Sequence, residues 1–138
     1  MKKRYILILS LILAILSVSV VSAGLFGIGD NSDKLTVEDL QISDKGYGMY
    51  DVTCNLKADK EFSYLEMVVV FYDESGSIIE KSPLVWNMND VPKDQNVKVT
   101  GSAYISGDDS PAKAEVYIFD DALESDLDKA IFNQTVEM

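Results

Sequence analysis

The sequence predicts an all-β domain, a seven-stranded antiparallel sandwich behind an N-terminal hydrophobic export helix. Three observations predict it. From Leu35 onward apolar and polar residues alternate through most of the chain, the period-two pattern of half-buried strands. Clusters of Gly, Asp, Ser and Pro interrupt that alternation at short intervals, and no long stretch repeats with a helical period. The chain has 138 residues, enough for one domain and too few for two ordinary ones.

Met1 to Arg4 is a short cationic head, and Tyr5 to Ala23 carries no charge. That is an export signal, with Val21 and Ala23 as the small residues preceding a cleavage point between Ala23 and Gly24. The uncharged run continues to Gly29, so an uncleaved anchor is the alternative, roughly 20 apolar residues being enough to span a bilayer. In both cases the basic head stays inside and the remainder is exported. The domains are then signal or anchor over 1–23, a linker over 24–34 and a sandwich over 35–138. Lipidation at the cleavage site is excluded because the single cysteine is Cys54.

The first strand starts at Leu35, and its inward parity changes between Val37 and Leu40, which predicts a bulge or a sheet change near Glu38 and Asp39. Lys45 to Gly48 is a turn, and Tyr50, Val52, Cys54 and Leu56 then alternate with polar residues in the cleanest strand. Tyr64 to Tyr72 is apolar on both parities and is expected to be central. Asp73 to Gly76 has type I turn chemistry, and Ser77 to Ser82 returns as its hairpin partner. Pro83 to Val91 reads as a connection carrying the only tryptophan, Trp86. A turn through Pro92 leads to a strand from Asn96 to Ile105. After a polar loop, Ala112 to Asp120 alternates again. Asp121 and Glu124 have capping-box spacing, and Leu123, Leu127 and Ile131 fall four apart, which predicts a short helical turn. Phe132 to Met138 closes the sheet.

Val69 to Ile79, Val-Val-Phe-Tyr-Asp-Glu-Ser-Gly-Ser-Ile-Ile, resembles the FxLYD-type domains, immunoglobulin-like sandwiches of exported bacterial and archaeal envelope proteins. Tyr72 and Asp73 match that motif, while Val69 and Phe71 stand where Phe and Leu are usual. Asn55 matches a common asparagine, Asp51 occupies a usual glycine position, and Val91 to Asp94 is similar to the family's Pro-Gly-Glu turn. The resemblance covers roughly Leu35 to Asp120 and implies an immunoglobulin-like fold and an exterior location. It implies no reaction, since a fold does not dictate chemistry.

The composition narrows function further. Beyond Ala23 there are nine lysines, no arginine and all 23 acids, a net charge of −14. Such a surface repels nucleic-acid phosphates and anionic lipid, leaving the N-terminal helix as the one route to a membrane. The chain has no histidine, the usual general base and metal ligand. No motif implies a cofactor or an enzyme. Acid pairs of the glycosidase kind abound only because acids do. Asp120, Asp121, Glu124, Asp126 and Asp128 supply hard oxygen ligands of the sort calcium takes, but their spacing fits no EF-hand loop, and a solvated acidic helix start is the better explanation. Asn133 heads the only glycosylation sequon, Asn-Gln-Thr. Tyr47 and Trp86 are candidate aromatic platforms for sugar or peptide, with loop anchoring or core packing as the ordinary role of Trp86. One cysteine permits no internal disulfide, and Cys54 on an apolar face reads as a small hydrophobe. The expected function is a non-enzymatic exported domain for interaction with an envelope or extracellular protein or for structural support. A small calcium- or carbohydrate-binding module is the alternative.

Overall fold

The computed structural model describes residues 34–138. The expected signal segment, the Ala23/Gly24 cleavage point and the linker up to Asp33 lie outside the described residues. Seven strands form two antiparallel sheets. One, in the order β1-β2-β5, contains β1 (Leu35–Gly46), β2 (Met49–Ala58) and β5 (Asn96–Tyr104). The other, in the order β4-β3-β6-β7, contains β4 (Ile78–Val91), β3 (Phe62–Tyr72), β6 (Lys113–Phe119) and β7 (Phe132–Glu137).

Alternation places the core between the sheets. Tyr50, Val52, Cys54, Leu56 and Ala58 of β2 meet Leu65, Met67, Val69 and Phe71 of β3 and Ala114, Val116 and Ile118 of β6 in one buried cluster. The rings of Tyr50 and Phe71 pack with centroids 5.0 Å apart. Cys54 is buried in this cluster, and loss of hydration pushes its thiol up to about 11. Alkylation of Cys54 by iodoacetamide at pH 8 is therefore expected to be at least about tenfold slower in the folded protein than in denaturant, because the thiolate is the reactive form. Mass spectrometry of timed samples checks this, and equal rates would contradict the burial.

The parity change expected in β1 is a bulge, with the register slipping between Glu38 and Gln41 and Asp39 at φ 55°. The Asn55 side-chain amide donates to Asp39 at 3.2 Å. β3 is central on its sheet, as its two apolar parities predict.

Two local expectations are corrected. Pro83 to Val91 is not a connection: β4 runs through it to Val91. Trp86 pairs with Met67 and Ser82 with Val69, so Pro83, Leu84 and Val85 bulge opposite Val68, with Leu84 at φ 50°. Proline is tolerated because β4 is an edge strand. The second correction concerns the turn expected from Asp121. The only helical residues there are the 3-10 turn Leu127–Lys129, capped by Asp126, whose carboxylate accepts from the Asp128 amide. Glu124 does not reach back to Asp121; it accepts from the Ser125 and Asp126 amides, both at 2.9 Å. Leu123, expected on an apolar helical stripe, is 76% exposed at φ 59°.

Candidate functional site

Antiparallel pairing gives the sandwich two ends. Lys34, the first described residue, lies with the β2-β3 link and the β4-β5 turn, since Leu35 pairs with Ala58 and Ala58 bridges Lys93. The opposite end carries the β1-β2 hairpin, the Asp73–Ser77 turn and the β5-β6 loop.

That far end is built by backbone geometry. Gly46, Tyr47 and Gly48 all have positive φ, which glycine adopts freely and tyrosine does not. The Gly46 amide donates to Asp44 at 2.7 Å. Ile105 donates its amide to the Gly48 carbonyl at 2.8 Å, which ties the hairpin to the start of the β5-β6 loop. A carboxylate oxygen of Glu80 accepts from both the amide and the hydroxyl of Ser106, and these bonds hold its carboxyl below the usual range. Tyr47 is thereby lifted clear of the domain, 99% exposed, with Met49 and Tyr104 also exposed beside it. Beneath it lies an open depression of about 390 Å³, lined among others by Tyr47, Tyr50, Tyr104, Asp44, Asp108 and Asp109. The neighbouring turn is rigid: Asp73 accepts from the Ser75 hydroxyl, at 2.6 Å, and from the Ser75 and Ser77 amides, and these bonds lower its pKa.

The other predicted residues do not gather into a site. Trp86 is partly buried against the sandwich core from β4 rather than presented on a loop. Asn133 lies on the edge strand β7 opposite Tyr117, partly buried. Asp120, Asp121 and Asp128 are exposed, Glu124 is held by Ser125, Asp126 and Lys129, and Asp126 is a cap. Among the described residues no three His, Cys, Asp or Glu side chains could hold a metal ion together.

Sequence reasoning missed Glu66, which is 1% exposed on the outer face of β3. Its carboxylate accepts from the Tyr64 hydroxyl at 2.8 Å and from the Leu123 amide at 3.1 Å. Lys81 donates to the Ser125 carbonyl at 3.0 Å, and Ala130 and Leu127 cover Val68 and Phe119. The β6-β7 segment is thus a strap over the sheet, which explains why Val68 is buried on an outer face. Next to it Glu115 accepts from Tyr72 at 2.7 Å and from Tyr117. Burial, reinforced by Glu115, raises both phenols, so they stay protonated donors at neutral pH. These groups satisfy one another. Glu66→Ala is expected to cost about 1.5–3 kcal/mol and to open the strap to trypsin at Lys129. Chemical denaturation with limited proteolysis checks it; an unchanged midpoint and cleavage pattern would remove the carboxylate from the strap's support.

No protein-family model matches the sequence, and no curated protein matches it. Among solved structures it is similar to the GH3 beta-glucosidase of Bifidobacterium adolescentis, with 8% identity and a TM-score of 0.44 over 75% of this chain and 17% of that one. It is also similar to beta-glucosidase 3B of Thermotoga neapolitana in complex with glucose, at 9% identity, TM-score 0.42 and 75% and 15% coverage. The chain thus spans 17% and 15% of these proteins' lengths. Similarity at this level carries neither a family nor an activity over to this chain.

Proposed function

We propose that this is an exported, non-enzymatic interaction domain of the cell envelope or its exterior, free or tethered by its N-terminal segment, with the far end as its contact surface. The observation that carries the reading is the position of Tyr47: nearly fully exposed, fixed by two glycines, and at the end opposite Lys34. Large aromatics held out in this way fit recognition better than packing. The three-plus-four strand order is compatible with an immunoglobulin-like sandwich of the FxLYD type, and the charge of −14 after Ala23 with an export signal fits an exterior location. Carbohydrate binding is the second reading, favoured by the same aromatic platform.

The test has two arms. Protease added to intact cells is expected to degrade the domain without lysis, and full protection would end the export reading. Crosslinking in those cells is expected to yield an adduct that is lost in Tyr47→Ala. An adduct retained by that variant would move the contact surface elsewhere.

A further inference from the structure

The far-end depression has a composition that selects its ligand. Three phenol rings, Tyr47, Tyr50 and Tyr104, and three carboxylates, Asp44, Asp108 and Asp109, line it, and no lysine does. The nearest basic side chain in sequence, Lys45, is directed to Asp51 at 3.4 Å. Lys113, beyond the β5-β6 loop, lies over the ring of Tyr72 and beside Glu115 at 3.8 Å. Tyr50 supplies an independent observation. It is only 6% exposed, its ring is fixed on Phe71, and its hydroxyl makes no hydrogen bond among the described residues while lining the depression. Burial, then Asp44, holds that phenol above its ordinary value, so it remains protonated. No buried polar side-chain atom among the described residues lacks a hydrogen-bond partner, so this hydroxyl is open to solvent, and to a ligand, in the depression.

We infer that the depression receives an organic cation, the guanidinium or ammonium side chain of a basic partner polypeptide. This rests on the far end being the contact surface. Aromatic faces attract such a cation and carboxylates take its N–H donors, a pairing that favours arginine for its planar, multiply donating head. The field of the chain beyond Ala23, with nine lysines against 23 acids, adds long-range steering toward a basic partner.

Fluorescence anisotropy of a labelled tetra-arginine peptide with the full chain in neutral detergent tests this. A tetra-citrulline peptide of the same length is the uncharged control. Tyr47→Ala and Tyr104→Ala are each expected to weaken the arginine peptide about fivefold, and Tyr50→Phe to weaken it as well. Asp126→Asn with Asp128→Asn, which removes two negative charges from the strap, is expected to leave binding unchanged. Equal weakening by the strap variant would mean diffuse attraction and overturn the inference. So would unchanged binding in Tyr47→Ala, equal binding of tetra-citrulline, or displacement of the peptide by neutral cellotriose. If the peptide fails while the Tyr47-dependent crosslink persists, the inference falls and the proposed function stands.

Discussion

Gly48→Ala is expected to lower the melting temperature of the domain by about 12–20 °C, the equivalent of about 3 kcal/mol for a domain of this size. Two costs combine. Gly48 sits at φ +75°, where an L side chain costs about 1–2 kcal/mol per residue. The added Cβ would also collide with the backbone carbonyl oxygen of Ile105, and Tyr104 Cε2 lies 3.5 Å away. Overpacking of that kind costs about 1–3 kcal/mol, and the obstacle is backbone that is itself tied to Gly48. Gly46 provides the control within the same hairpin. Its φ is +81°, but nothing lies within 4 Å of an added Cβ. Gly46→Ala is therefore expected to show the conformational cost alone, about 1–2 kcal/mol. Thermal unfolding of both variants decides the matter: equal losses would show that close approach to Ile105 contributes nothing. A further consequence is functional, because the strand of contacts from Gly48 to Ile105 shapes the floor beneath Tyr47.

Most strands were legible because alternation encodes a face directly. In β2, Tyr50, Val52, Cys54 and Leu56 are the residues the pattern marks and the residues the core buries. The bulge at Asp39 was legible for the same reason, since an extra residue shifts every later side chain to the other face. The Pro83–Val91 half of β4 was hidden because three residues stand against one at its bulge and break the period at a proline. The strap was hidden because its hold is tertiary. Glu66 looks like an ordinary outward polar position of β3, and nothing local reveals that Leu123, 57 residues on, donates to it. Tyr47 was legible as a loop aromatic, whereas the convergence of Tyr50, Tyr104 and Asp108 depends on β1-β2 and β5-β6 folding to one end. Local pattern specifies faces; which loops share an end follows from strand order.

Gly101→Ala carries the second large effect, an expected loss of about 3 kcal/mol. Gly101 lies in β5, in register with Val52, and its φ is ordinary, so conformational strain plays no part. What excludes a side chain is the bulge of β4. An added Cβ would collide with the carbonyl oxygen of Val85 and sit 3.0 Å from both its carbonyl carbon and Cγ1. Val85 is itself 5% exposed and in the core, so it has no solvent to move toward. The two edge strands, one from each sheet, meet there, and the Ser82 hydroxyl accepts the Tyr104 amide across the same seam at 3.1 Å. Ala103, two residues along β5 on the same inward face and 1% exposed, already carries a Cβ. Inward position alone therefore does not demand glycine; the bulge does. Urea unfolding of Gly101→Ala is expected to show a lower midpoint with an unchanged slope, the signature of a destabilised but still compact native state. A wild-type midpoint would mean that β4 yields at Pro83–Val85 without cost, and the seam would not be a fixed feature of the sandwich.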